Sequence, residues 1–74
     1  MVDNIYLLKD LARLTGHSVH TIKFYLKIGL IKEISRSPET NFRYFNDSTV
    51  DSLKKIRSLQ KEGLSLRDIK NELL

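Results

Sequence analysis

The spacing of apolar and polar positions predicts four helices and one short β-hairpin. The apolar face of the first helix is formed by Leu8, Leu11 and Ala12. This helix should end at Gly16, because glycine readily takes the left-handed conformation that closes helices. Ser18 can then cap a second helix, since its hydroxyl can accept a hydrogen bond from an unpaired N–H group of the next turn, and Gly29 ends that helix. So short a connection is typical of a helix-turn-helix corner.

The helical pattern stops after the second helix. Turn-forming residues occupy 35–41, and the aromatic-rich run 42–45 favours an extended conformation. The simplest interpretation is a short hairpin with Asn41 at its tip, because asparagine tolerates positive φ. Alternation along the second arm places Arg43 and Phe45 on one face, and we expect Phe45 to anchor the hairpin to the core.

Two further helices complete the chain. The third should start between Asn46 and Ser48 and run to Gly63, and the fourth should start at Ser65, because these polar residues can cap a helix. The expected fold is therefore all-α with a short β-hairpin, built as one small domain over residues 1–74.

Composition narrows the functional classes. The 74 residues are 41% hydrophobic and 30% charged, and no run approaches the roughly 20 apolar residues that span a bilayer. The absence of cysteine excludes disulfides and thiolate sites, and His17 and His20 have no partners at metal-ligand spacing. No catalytic constellation or glycine-rich phosphate loop is apparent, so we expect neither an enzyme nor a cofactor or metal. The N-terminus lacks the pattern of a signal peptide, so we expect a cytoplasmic protein without a membrane partner.

The charge favours an anionic partner. The net charge is +4 and the pI is about 9.6. The excess lies in the middle of the chain, where residues 17–45 carry five basic side chains and two acidic ones. Residues 46–74 carry six basic and five acidic side chains, so they are close to neutral.

The second helix has two different faces. At about 100° per residue, its apolar face is formed by Val19, Ile22, Leu26 and Leu30. The other side carries His20, Phe24 and Lys27, with Lys23 and Tyr25 on the two shoulders and Thr21 on the far side. A phenylalanine opposite the core either packs under the hairpin or a neighbouring helix, or makes apolar contact with a sugar or a thymine methyl group in a major groove.

The basic side chains admit two interpretations. Lys23 and Lys27 form either an ordinary solvated face or phosphate contacts, and their place on a helix that follows a turn favours phosphate contacts. Tyr25 can be half buried with its hydroxyl on a phosphate oxygen. Arg43 is either a surface residue or a phosphate contact, and the exposure of the hairpin favours the contact. For Arg36 both interpretations stay open.

An ordered set of short motifs covers almost the whole chain. They are Tyr6-Leu7-Leu8-Lys9-Asp10-Leu11-Ala12, Thr15-Gly16-x-Ser18, Thr21-Ile22-Lys23-Phe24-Tyr25, Gly29-Leu30-Ile31, Phe42-Arg43-x-Phe45, Leu53-x-x-Ile56, Gly63-Leu64-Ser65-Leu66 and Ile69-Lys70. Each motif is weak alone. In this order and at these spacings, they make the chain resemble the MerR-type winged helix-turn-helix DNA-binding domain.

The resemblance implies sequence-specific binding of double-stranded DNA by a transcription regulator. The second helix would enter the major groove, and the hairpin would act as a wing on the phosphate backbone. The resemblance implicates Lys23, Phe24, Tyr25 and Arg43, with Ser18 and Thr21 as further candidates. Together with the residues singled out above, the candidate DNA-binding set is Ser18, His20, Thr21, Lys23, Phe24, Tyr25, Lys27, Arg36 and Arg43.

The chain departs from the family pattern in several places. The family usually has arginine, tyrosine and glutamate where this chain has Lys23, Phe24 and Leu26, and Asn41 replaces the usual wing glycine. Lysine lacks the bidentate fork of arginine, so guanine reading at position 23 is less assured. The family continues into a dimerisation helix and an effector-binding region, which these residues do not include. The resemblance implies a homodimer for a full-length regulator and allows a monomer for this chain alone.

The sequence leaves two interpretations of the chain open. It is either an excerpt of a longer regulator, which the two leucines at its end favour, or a stand-alone architectural or excisionase-like protein that coats DNA cooperatively. A less favoured alternative is a protein-interaction module in which Phe24 and Tyr25 form an aromatic anchor.

Overall fold

The computed structural model describes residues 4–73, and its elements follow the predicted order. They are α1 (Leu8–Thr15), α2 (Val19–Lys27), β1 (Ser35–Arg36), β2 (Arg43–Tyr44), α3 (Asp47–Lys61) and α4 (Leu66–Leu73). The predicted all-α fold with a short β-hairpin is confirmed. The ends of the predicted domain, residues 1–3 and 74, lie outside the described residues. No helix in the described part of the chain is long and apolar enough to cross a membrane.

The corner between α1 and α2 is attached to α3. Gly16 has φ 77° and its N–H donates to the Ala12 carbonyl, so α1 ends where glycine predicts it. The Nε2 atom of His17 donates to the Leu53 carbonyl oxygen at 3.0 Å. The Arg57 guanidinium donates to the Gly16 carbonyl oxygen at 3.2 Å. Because both bonds join the turn to α3, they hold the corner in place against the rest of the fold.

Ser18 caps α2. Its Oγ accepts a hydrogen bond from the Thr21 N–H at 3.1 Å and donates one to the Thr21 hydroxyl at 2.8 Å. We expect Ser18→Ala to lower the free energy of unfolding by about 1 kcal/mol, because an N–H group of the first turn loses its acceptor. Ser18→Asp should stay within about 0.5 kcal/mol of the wild type, because aspartate caps helices about as well as serine. Urea unfolding followed by far-UV circular dichroism measures both values, and equal losses in the two variants would contradict a capping role.

The hairpin is attached to the core through Phe45. The two strands are antiparallel, with Ser35 opposite Tyr44 and Arg36 opposite Arg43. Asn41 has φ 63°, as expected for the tip. The N–H and carbonyl groups of Phe45 exchange two 2.8 Å hydrogen bonds with those of Tyr6, and the Phe45 side chain is fully buried. The predicted anchoring of the hairpin by Phe45 is therefore confirmed.

The later helices also begin at polar caps. Asn46 caps α3 through its side-chain oxygen, which accepts an N–H group of the first turn at 3.4 Å. Ser65 precedes α4, and its Oγ accepts the Asp68 N–H at 3.3 Å. Further along α4, the Lys70 ammonium donates to the Ile28 carbonyl at 3.1 Å, just beyond the end of α2. The last helix is thus connected directly to the end of the second.

The apolar face predicted for α2 needs one correction. Among residues 4–73, the fully buried core residues are Leu11, Ile22, Phe45, Leu53, Ile56 and Ile69. Val19, which was expected in this core, is 37% exposed, whereas Tyr25 is only 3% exposed. The buried stripe centres on Ile22 and includes position i+3 as well as i+4, which leaves Val19 at its edge. The Tyr25 ring also meets the His17 ring edge to face at 5.6 Å, so the turn before α2 helps to bury it.

Candidate nucleic-acid interface

A recess lies beside the start of α1, the middle of α2 and the hairpin. It encloses about 390 Å³ and is lined by Leu7, Leu8, Lys9, Lys23, Asn41, Phe42 and Arg43; we call it the wing recess. Three of its lining residues are apolar and three are cationic. Such a combination suits a sugar-phosphate chain, because apolar side chains can contact the sugar while cations neutralise the phosphate.

The wing recess brings two sequence-predicted residues together. Lys23 comes from α2 and Arg43 from β2, and both side chains line it. Lys9, from the first turn of α1, adds a third positive charge that was not predicted. Because three separate elements supply these charges, the recess depends on the fold and cannot be read from one segment of sequence.

The two wing arginines have different surroundings. Arg36 is engaged within the hairpin, since it donates to the Glu33 carboxylate at 2.8 Å and to the Asn41 side-chain oxygen at 3.4 Å. Arg43 lies further from Glu33, with its Nε 4.0 Å from the carboxylate. That Nε is buried and has no hydrogen-bond partner among the described residues. Arg43 is therefore the wing arginine that is less committed to bonds inside the domain.

Glu33 carries its negative charge between these two guanidinium groups. A hydrogen bond from its own backbone, the hydrogen bond from Arg36 and the charges of both arginines lower the pKa of Glu33 below its ordinary value. The carboxylate is therefore ionised at neutral pH and faces one arginine of each strand.

The outer face of α2 carries the candidates predicted to point away from the core. His20, Lys23, Phe24 and Lys27 are all exposed. Phe24 is 45% exposed, and its ring centroid lies 6.2 Å from that of Tyr25. The interpretation in which Phe24 packs under the hairpin or a neighbouring helix is therefore wrong, and an apolar side chain stands in solvent among basic ones.

A second recess lies on the other side of α2, at the helix-turn-helix corner. It encloses about 490 Å³ and is lined by Gly16, His17, Ser18, Thr21, Tyr25, Arg57, Gln60 and Lys61; we call it the corner recess. Three sequence-predicted residues, Ser18, Thr21 and Tyr25, meet here. Tyr25 is more deeply buried than expected for a half-buried side chain, but it still lines this open recess.

The corner recess also contains two basic residues that sequence reasoning missed. Arg57 and Lys61 lie four residues apart on α3, so they share one face of that helix. Their spacing is visible in the sequence. What the sequence does not reveal is that this face of α3 is turned toward α2.

The two recesses lie on opposite sides of the exposed face of α2. At about 100° per residue, Ser18, Thr21 and Tyr25 fall on one side of the helix and Lys23 on the other. Lys27, His20 and Phe24 lie on the exposed arc between them. The solvent-facing surface of α2 is thus bordered by basic residues of α3 on one side and of the wing and α1 on the other.

The described part of the chain offers no candidate metal site. Residues 4–73 contain no group of three or more histidine, cysteine, aspartate or glutamate side chains that could hold a metal ion. The side chains that line the wing recess and the corner recess are instead mainly basic, hydroxylic, aromatic and aliphatic.

Known proteins resemble this chain over nearly its full length. Residues 6–74 match the sequence pattern of the MerR HTH family of regulatory proteins. The chain is 31% identical over 70 residues to the multidrug-efflux transporter 1 regulator of Bacillus subtilis (strain 168), a match that covers 95% of this chain and 25% of the relative.

Two solved structures share the fold. A MerR family transcriptional regulator from Bacillus cereus superimposes with a TM-score of 0.87 at 26% identity, over 95% of this chain and 52% of that one. HiNmlR, a MerR family regulator lacking the sensor domain and bound to promoter DNA, gives a TM-score of 0.80 at 34% identity, over 92% of this chain and 51% of that one. The chain thus spans about a quarter of the length of the Bacillus subtilis relative and about half of each solved chain.

Proposed function

Because the chain belongs to the MerR HTH family of regulatory proteins, we propose that it is the DNA-binding domain of a transcription regulator. In this proposal α2 lies in the major groove of double-stranded DNA, and basic residues on both sides of it contact phosphates. The observation that carries the proposal is the exposed face of α2 between two basic recesses.

The dimensions of DNA explain why this arrangement suits it. The major groove of B-DNA is about 12 Å wide, which admits one α-helix between two rows of phosphates. A helix in that groove needs cations on both sides to fix its position, whereas bases are read by the side chains between them. The corner recess and the wing recess supply those cations on the two sides of α2.

The candidate residues take different roles in this proposal. Arg43 and Lys23 contact the phosphate next to the wing, and Arg57 and Lys61 contact the phosphate next to the corner. Three further exposed residues of α2 face the bases, and they are His20, Phe24 and Lys27. Phe24 offers apolar contact to a thymine methyl group or a sugar.

The hydroxyl groups at the corner have a related role. Ser18, Thr21 and Tyr25 line the corner recess, where the hydroxyls of Thr21 and Tyr25 can donate to a phosphate oxygen. The Ser18 hydroxyl already donates to Thr21, so Ser18 orients that partner. Arg36 is engaged with Glu33 and Asn41, so we assign it chiefly to the structure of the wing.

The whole protein extends this proposal. The structure of HiNmlR bound to promoter DNA supports promoter DNA as the ligand class. We propose that a full-length regulator containing this domain acts in the cytoplasm as a homodimer on two half-sites, and that this chain alone binds one half-site as a monomer. An effector would act through regions outside this chain.

Binding to a duplex selected from a random library tests the proposal. Fluorescence anisotropy over a range of salt concentrations should give about micromolar affinity, with a salt dependence that corresponds to a few phosphate contacts. We expect Lys23→Ala to weaken binding by about three- to tenfold on every duplex and to reduce the salt slope by about 0.9, because one phosphate contact is lost.

Lys55→Ala provides the matched control. Lys55 is exposed on α3 and lies about 160° around that helix from Arg57, so it faces away from the corner recess. Its replacement removes the same charge but should change the affinity by less than about twofold. Equal effects of the two substitutions, or no binding by the wild type even at low salt, would contradict the proposed interface.

A further inference from the structure

Glu33 connects the two arms of the wing. It lies between the end of α2 and the start of β1, and its carboxylate faces one guanidinium group from each strand. Arg36 and Arg43 are directly opposite each other in the hairpin register. Like charges in opposing positions repel each other, and the carboxylate of Glu33 offsets that repulsion.

We propose that Glu33 is a positioning residue that holds the wing arginines in the free domain and competes with DNA phosphate for them. This inference rests on the proposed DNA-binding function. It assigns to Glu33 a negative effect on affinity, because the wing arginines already have an anionic partner before DNA arrives.

The competition follows from the geometry of the guanidinium groups. Arg36 donates to Glu33 at 2.8 Å, a distance typical of a charge-assisted hydrogen bond, so a phosphate that approaches the guanidinium from this side must compete with the carboxylate. Arg43 is held by a longer contact of 4.0 Å and keeps 37% of its side chain exposed. A phosphate can reach Arg43 without breaking that contact, but it then lies near the negatively charged carboxylate of Glu33.

The carboxylate is exposed enough to act on an incoming phosphate. The Glu33 side chain is 28% exposed, so it is not sealed beneath the wing. It is charged at neutral pH, because the ordinary pKa of a glutamate lies well below 7 and that of Glu33 is lowered further. The repulsion between Glu33 and the phosphate therefore opposes binding on every DNA sequence, since the phosphate backbone is the same for all of them.

Glu33→Gln removes the charge while it keeps the size and the oxygen acceptor of the side chain. We expect this variant to bind both the selected duplex and an unrelated duplex about two- to fivefold more tightly, the upper part of the range for ion pairs at a protein surface. The salt slope should become steeper by up to about 0.9, because a displaced carboxylate takes up a cation and a glutamine does not.

Glu39→Gln is the matched control. Glu39 lies in the same hairpin, is exposed, and forms no ion pair with another described residue. Its substitution changes the net charge equally and should change affinity by less than about twofold, because it acts only through screened long-range attraction. In an Arg36→Ala, Arg43→Ala background, the gain from Glu33→Gln should fall to the level of the Glu39→Gln control.

An NMR measurement separates this inference from the proposed function. In the free protein, Glu33→Gln should shift the Arg43 Nε–H resonance, whereas Glu39→Gln should leave it in place. If the wild type binds duplex DNA but Glu33→Gln binds no more tightly than Glu39→Gln, the role of Glu33 is overturned and the DNA-binding proposal stands.

If the wild type binds no duplex at all, the proposed function fails. Titration with inorganic phosphate, followed at the same Arg43 resonance, then tests whether Glu33 competes with phosphate for the wing arginines. A tighter response in Glu33→Gln than in Glu39→Gln supports competition by Glu33, and equal responses overturn it.

Discussion

Replacing Phe45 with alanine is expected to lower the free energy of unfolding by about 3–5 kcal/mol, the range for removing a buried aromatic side chain. Phe45 is fully buried and belongs to the main apolar core. Its backbone also exchanges two hydrogen bonds with Tyr6, so the base of the wing is fixed at this residue. Small domains are stable by only about 5–15 kcal/mol, so this variant should be largely unfolded under mild denaturing conditions.

Phe42→Ala is the control for the Phe45 prediction. Phe42 lies three residues earlier, just before β2, and is 56% exposed, so the same substitution should change stability by less than about 0.5 kcal/mol. Urea unfolding followed by circular dichroism compares the two variants directly. Similar unfolding midpoints for both would show that Phe45 does not anchor the wing. Because Phe42 lines the wing recess, its replacement should change the affinity for DNA more than it changes the free energy of unfolding.

The ends of the helices could be predicted because their causes are local. Gly16 ends α1 through its positive φ, Ser18 begins α2 through its hydroxyl, and Asn46 begins α3 in the same way. Each effect involves residues within one turn of the helix, and such contacts are available to sequence reasoning. Asn41 at the wing tip follows the same logic.

Burial along α2 was only partly predictable. Helical arithmetic correctly places Ile22 inside and Phe24 outside. It places Val19 in the core and Tyr25 on a half-buried shoulder, whereas Val19 is 37% exposed and Tyr25 is buried. The difference arises because the buried arc depends on which neighbours approach the helix. His17 packs on Tyr25 from the preceding turn, and that contact cannot be deduced from the periodicity of α2 alone.

The basic residues that border α2 could be identified only from the tertiary structure. Arg57 and Lys61 enter the corner recess because hydrogen bonds over long sequence separations attach the turn to α3. The contact of Glu33 with Arg43 similarly depends on the register of the hairpin. In the sequence, the charge of this segment indicates an anionic partner, but not which basic residues already have an internal partner.

Arg43→Ala should cause the largest loss of DNA affinity among single substitutions of basic residues, about 10- to 100-fold, the value of a charge-assisted hydrogen bond. Arg43 lines the wing recess with Lys23 and Lys9, so it acts where three elements concentrate positive charge. Stability should change by less than about 1 kcal/mol, because the substitution removes a buried Nε without a hydrogen-bond partner and the repulsion from Arg36. Fluorescence anisotropy on the selected duplex measures the loss of affinity, and thermal unfolding measures stability.

Two further variants show whether the loss of DNA affinity in Arg43→Ala comes from a direct phosphate contact or from net charge. Arg67→Ala removes the same charge from an exposed position on α4 that lines neither the wing recess nor the corner recess. It should reduce affinity by less than about twofold, since an exposed charge outside the interface is screened by salt. Arg43→Lys should recover part of the affinity, because lysine supplies the charge without the bidentate fork that binds phosphate. Equal losses of affinity for Arg43→Ala and Arg67→Ala would show that Arg43 contributes only through the net charge of the domain. A graded order of wild type, Arg43→Lys and Arg43→Ala requires instead that the guanidinium contacts a phosphate directly, because net charge is the same in the first two proteins.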